Sequence, residues 1–357
     1  MTLLWFGGFD AISTANMDGL INNKEYLPNL SGFAGMAAAV GTYAATGVNS
    51  FRVGSFTDWG VTMGCGGGAA TIVLGCAMLH SIEPIDDYPL YEFKDDSNNI
   101  HCKVYIGTSG GIWTWYLKDS VGTTTLATSS SVRMSSLVWY FFEIKINIHA
   151  STGSCIMKVN GIEIMNATGL DTYNTGTVGI ERIKLGGGTL DMYVYRDDLY
   201  ILDTNGSAPC NDLIGPVKVE TLMPNADGNS IDWTALAGDR YAAVDESSGA
   251  DNDTTYIYSG IATDKNSTGF PDVSITTTIF AIAHRYYMRY FDYTAVEING
   301  FLRVNSTDYV NSTDHEISGV YQYYVDYYEE NPDDSNPWED ADIDALEAGV
   351  KIKTITA

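Results

Sequence analysis

Period sets the first limit on how this chain folds. Apolar and polar residues alternate over short runs, and almost nowhere does an apolar residue recur at a helical 3.6-residue spacing over the length of a helix. The runs include "FRVGSFT", "TIVLGCAML", "HCKVYIG", "IWTWYLKD", "VWYFFEIKINIHA", "CIMKVNGIEIM" and "YVYRDDLYILD". Gly, Asn, Asp or Ser bounds each of them, so each reads as a strand closed by a turn. Many short strands at regular spacing build antiparallel sandwiches or jelly rolls.

Within that pattern Asn160-Gly161 is a hairpin tip joining "CIMK" to "IEIM", because both residues accept the left-handed conformations of a two-residue turn. Asn299-Gly300 in "EINGFLRV" has the same chemistry and is expected to be a second hairpin. The glycine-rich "GCGGGAAT" is expected to be a turn between two buried strands. Only "NPWEDADIDALEAGVKIKTITA" departs from the strand period. There Ile343, Leu346 and Val350 recur at helical spacing, and Glu339, Asp340 and Asp342 load the first turn favourably for the helix dipole. Gly349 is expected to close that helix before a terminal strand.

The expected fold class is therefore all-β, with two antiparallel β-sandwich or jelly-roll domains and one short C-terminal helix. The alternation breaks at "TNGSAPCNDLIGP", where turn formers cluster as at a domain boundary. This gives a first domain over 1–206, a linker over 207–215 and a second domain over 216–357.

Charge narrows the function classes. The chain has 19 Lys+Arg against 45 Asp+Glu, a formal net charge of −26, and its basic residues are scattered singly along the sequence. A duplex binder needs a basic stripe to displace phosphate counterions, so nucleic acid is excluded as an expected partner. The five cysteines, at 65, 76, 102, 155 and 210, match no zinc or redox spacing, and buried free thiols fit assembly in the cytosol. "MTLLWFGGFD" lacks the cationic start of a signal peptide, and the apolar stretch 61–79 is broken by glycines. Neither secretion nor membrane insertion is expected.

"WYFFEIKINIHASTGSCIMKVNGIEI", then "VGIERIKLGG", then "YVYRDDLYILD" resembles the second half of a laminin-G-like, concanavalin-type jelly roll, and "GGFDAI" is similar to that family's opening strand. The likeness covers roughly residues 1–203. The second half, through "DLIGPVKVETLMPNADGNSIDWT", "DNDTTYIYSG" and "NPWEDADIDALEAGVKIK", resembles a module that recurs in tailed-bacteriophage virion proteins. Here Glu339 follows Trp338 where that module usually has Thr.

Several residues raise chemistry. Asp197 and Asp198 are adjacent, so on a regular strand they point to opposite faces and cannot form one two-carboxylate site. The jelly-roll resemblance implies a structural calcium where first and last strands meet, at Asp10 and Asp198. The alternative is that Asp198 ends its strand by bonding to a loop. Calcium takes six to eight oxygens, and only these two side chains offer themselves. The acids of "DESSGADND" lack EF-hand spacing and read as a solvated loop. Concanavalin-type glucanases carry two or three acids on one strand, whereas "FEIKIN" has Glu143 alone.

Trp113 and Trp115 share one strand face, as a sugar-stacking platform or as core. Tyr286, Tyr287, Tyr323, Tyr324, Tyr327 and Tyr328 are rich enough in contact area with polar tips to form a subunit interface, and the alternative is that they fill the core.

Together the two resemblances imply a non-enzymatic virion structural protein, a tail component or capsid decoration. It would dock through the tyrosine-rich second domain and display the jelly roll. Other virion proteins and further copies of the chain are the implied partners, and no cofactor is required beyond the calcium that the resemblance implies at Asp10 and Asp198. The alternatives are a carbohydrate-binding host adhesin using Trp113 and Trp115, and a glycan hydrolase using Glu143.

Overall fold

The computed structural model describes residues 3–7, 37–40, 45, 50–53, 60–84, 87–186, 193–246, 251–274 and 277–356. It divides into two compact units, Met1–Glu220 and Thr221–Ala357.

The first unit opens with β1 (Leu3–Gly7), β2 (Ala37–Val40), β3 (Ser50–Val53), β4 (Gly60–Ala69) and β5 (Thr71–His80). There follow β6 (Tyr88–Lys94), β7 (Ile100–Ser109), β8 (Ile112–Asp119), β9 (Thr125–Thr128) and β10 (Val132–Arg133). It closes with β11 (Tyr140–Asn147), β12 (Gly153–Val159), β13 (Ile162–Leu170), β14 (Ile180–Gly186) and β15 (Val194–Asp203). An eight-stranded sheet runs β13-β12-β11-β5-β15-β3-β2, with β1 also on β15. A seven-stranded sheet runs β10-β8-β7-β6-β14-β4, with β9 also on β8.

Alternate residues of each strand carry the contact between the sheets. Phe142 of β11 packs 5.4 Å from Trp115 of β8, and His80 of β5 packs edge-on to Trp113 at 4.7 Å. Cys76 Sγ lies 3.3 Å from Tyr91 Oη. The residues between these, such as Glu143 and Lys145 on β11, face away from that core. All five cysteines are free and buried, as their spacing suggested.

The second unit contains β16 (Ala226–Ile231), β17 (Thr234–Ala235), β18 (Ile257–Tyr258), β19 (Lys265–Gly269) and β20 (Ile282–Met288). It continues with β21 (Ala295–Val304), β22 (Thr307–Val310), β23 (His315–Ile317), β24 (Gln322–Tyr328), helix α1 (Asp340–Asp344) and β25 (Glu347–Thr356). A six-stranded sheet, β16-β19-β25-β21-β22 with β23 on β21, is joined by the two-stranded ribbons β17-β18 and β20-β24. One core cluster gathers Trp233, Tyr286, Tyr324, Ile298 and Ile352, and another gathers Trp338, Leu302, Ile343 and Leu346.

The all-β reading holds, and the hairpin at Asn160-Gly161 forms with both residues at positive φ, 49° and 77°. Three local expectations are corrected. Asn299-Gly300 lies inside β21, and the chain reverses instead at Asn305-Ser306, also at positive φ. Gly300 is needed because a Cβ there would sit 2.0 Å from Asp326 Oδ2. The helix stops at Asp344, and Val350 lies in β25, because pairing with β19 and β21 claims that segment. Glu339 still begins α1, its N–H donating to the Asp342 carboxylate at 2.9 Å. The glycines of "GCGGG" lie within β4 rather than in a turn. Residues 207–215 fall in the first unit, where Cys210 is buried, Asp212 pairs with Lys145 and the Gly215 N–H donates to Glu143.

Candidate functional site

Two outward-facing carboxylates mark the first unit. The first is Glu143, on the face of the eight-stranded sheet turned away from the core. Glu143, Gly75 and Tyr200 stand opposite one another across β11, β5 and β15. The Tyr200 ring lies over Gly75, where a Cβ would come within 2.2 Å of it. Its hydroxyl donates to Glu143 Oε1 at 2.8 Å, and the Gly215 N–H donates to the same oxygen at 2.7 Å. Burial together with the Glu143 charge pushes the Tyr200 phenol well above its usual range. Glu143 is buried, and its Oε2 has no partner among the described residues.

The chain after β15 holds this arrangement closed. Asp212 pairs with Lys145 at 2.9 Å, Gly215 reaches Glu143, and the Val219 N–H donates to Asp198 Oδ1 at 2.8 Å. Asp197 and Asp198 do not end the strand, as β15 continues to Asp203. They mark a bulge in it, with Asp198 at φ 48°. On one side of the bulge β15 pairs with β3, and on the other with β1. Asp197 accepts the Asp198 N–H at 2.9 Å and the Ala45 N–H at 3.0 Å. Asp10 lies outside the described residues. Among the described residues no group of three or more His, Cys, Asp or Glu is arranged to hold a metal ion.

The second carboxylate is Glu92, on the outward face of the seven-stranded sheet. Register places Lys118, Lys103, Glu92 and Lys184 in one row across β8, β7, β6 and β14. Lys94 Nζ lies 3.0 Å from the Glu92 carboxylate, Lys103 Nζ 3.6 Å and Lys184 Nζ 3.7 Å. Burial alone would raise the Glu92 pKa, but Lys184, Lys94 and Lys103 together hold it below the usual glutamate range. Arg182, opposite Lys94, donates to Asn98. In the next row Tyr105 and Tyr116 stand opposite each other, with Lys118 Nζ 4.3 Å from the Tyr105 ring centre. Lys118 also pairs with Asp87 at 3.2 Å.

Sequence reading missed this face. Its cations come one or two at a time, in "YEFK", "HCKVYIG", "YLKD" and "ERIK", and strand order alone makes them neighbours. Their shared outward parity was the available signal.

Trp113 and Trp115 are 1% and 0% exposed. They fill the sandwich core, one of the two readings of the pair, and the sugar-stacking platform fails because neither ring reaches the surface. The tyrosines split by strand parity. Tyr286 and Tyr324 are stacked in the core of the second unit at 6.0 Å, and Tyr328 packs against the cluster around Trp338. Tyr287, Tyr323 and Tyr327 fall on the opposite face of the β20-β24 ribbon, where Tyr287 stacks on Tyr321 at 5.1 Å. The same ribbon carries Asp326, which accepts from Tyr286 at 3.0 Å and lies 2.9 Å from His315 Nε2. Beside it burial lowers His284 to about 4, against the pull of Asp326. In the acidic loop, Asp253 pairs with Arg289 at 2.9 Å and Asp251 caps Thr255.

No family model matches the chain, and no curated protein sequence matches it. Solved structures align with it at low identity. The catalytic domain of a glycoside hydrolase family 131 protein from Coprinopsis cinerea shares 12% identity, covering 58% of this chain and 97% of its own, at a TM-score of 0.38. A carbohydrate esterase from the Shiga toxin-encoding bacteriophage phi24B shares 13%, covering 56% and 99%, at 0.36. The Caenorhabditis elegans galectin LEC-6 shares 14%, covering 40% and 89%, at 0.28. Similarity of this degree carries neither activity nor ligand across.

Proposed function

We propose that this protein is a non-enzymatic structural component of a bacteriophage virion, a tail part or capsid decoration, in which the second unit docks and the jelly roll is displayed. The state of Glu143 is the observation that most supports the non-enzymatic part. A glycosidase needs two carboxyls flanking an open cleft, about 5 Å apart in retaining enzymes. Glu143 instead has one oxygen bound by Tyr200 and Gly215, beneath a segment anchored at Lys145 and Asp198. Glu92 is engaged by lysines rather than by a second acid. The virion assignment rests on the order of sequence elements in both halves.

Antibody labelling of intact particles tests the placement, and incubation with host glycans tests the chemistry. Label on the shell or tail and no released sugar is the expected result. Unlabelled particles would overturn the placement. Glycan cleavage abolished by Glu143→Gln would overturn the non-enzymatic reading and restore the hydrolase.

A further inference from the structure

We infer that the outward face of the seven-stranded sheet is a binding site for an anionic polysaccharide whose charge is carried by carboxylates, a polyuronate. The inference rests on the reading of the jelly roll as a displayed module and names what it meets.

The chain carries a net charge of −26, yet this face reverses the sign. It bears Lys94, Lys103, Lys118, Lys184 and Arg182, five of the chain's 19 basic residues. Glu92, Asp87 and Asp119 are carboxylates beside them. Asp119 is occupied by the turn after β8, accepting the Gly122 N–H at 2.7 Å and the Thr123 N–H at 2.9 Å. Glu92 is shared by three ammonium groups, so the centre of the face keeps a cationic excess.

The lysines are not trailing solvated chains. Those that meet Glu92 are 13–17% exposed at the side chain, laid along the sheet with their ammonium groups gathered. Such gathering lowers the ordering cost of meeting an anion. Neighbouring strands lie about 4.8 Å apart, so Lys118 and Lys103 stand one step apart and Lys184 two steps beyond Lys103, with Glu92 between them. A polymer with one carboxylate on every sugar can meet such a row repeatedly. The Tyr105–Tyr116 row adds apolar surface alongside.

A nucleic-acid duplex is disfavoured. It needs a long basic stripe, and the remainder of so acidic a chain repels it.

The test is binding of the full-length chain to immobilised polygalacturonate, with neutral dextran and a DNA duplex as comparisons. Expected are binding to polygalacturonate alone, weakening as salt rises, and a loss of roughly tenfold in the Lys103→Gln/Lys184→Gln variant. Lys353→Gln, in the second unit, should bind as the unchanged protein does, and a β-sheet circular dichroism spectrum like that of the unchanged protein in both variants, at a temperature below their melting, separates lost charge from lost fold. Equal binding to dextran, preference for DNA, or no binding to polygalacturonate would each overturn the inference. None of these alters particle labelling. Conversely, unlabelled particles with intact polyuronate binding would sink the virion placement alone.

Discussion

Glu143 and Glu92 are counterparts: each stands near the middle of a sheet, on the face turned away from the shared core. Their neighbours differ in kind. Glu143 is met by neutral donors, a phenol and a backbone N–H, and is covered by the chain that follows β15. Glu92 is met by three cations and leaves an excess of positive charge at the surface. The first arrangement closes a face, and the second prepares one for an anion. A carboxylate on a sandwich sheet therefore reveals little by itself; what faces it decides whether it seals or receives.

The sharpest way to break the contrast is Gly75→Ala. The new methyl would occupy the place of the Tyr200 ring, which its bond to Glu143 holds there, so overpacking and a lost hydrogen bond add. A loss of about 3 kcal/mol in denaturant unfolding is expected, and an unchanged midpoint would show that the ring is free to move. Tyr200→Phe removes only the donor to a buried carboxylate and should cost about 1–3 kcal/mol.

Glu92→Gln should cost below about 1 kcal/mol, because its partners retain contact with water, and added salt should erase the difference. The sign with pH follows from its lowered pKa. The ion pairs stabilise fully above the ordinary glutamate value of about 4.3 and are lost as pH falls through the lower folded value. The melting temperatures of Glu92→Gln and the unchanged protein should therefore converge in acid. A gap that persists there would mean that packing, not charge, holds Glu92.

Parity of alternation carried much of what could be read in advance. It identified the strands, and applied strictly it separates Tyr286 from Tyr287 and Tyr323 from Tyr324, which a count of tyrosines lumps together. The Asn160-Gly161 turn was legible because its chemistry is local to two residues. Asn299-Gly300 has the same letters and a different role, since Asp326, distant in sequence, requires the missing side chain at Gly300. The helix was legible at its acidic start and misjudged at its end, where pairing with two strands outweighs helical spacing.

By itself the sequence determined the all-β class, the free buried thiols, one local turn and the acidity of the whole, because each follows from period, residue type or a sum over the chain. Tertiary structure alone decided that two tryptophans are core, that residues after β15 seal Glu143, and that five scattered cations form one face. Each of these depends on which strands become neighbours, and strand order is set by long-range packing that no short stretch of sequence encodes.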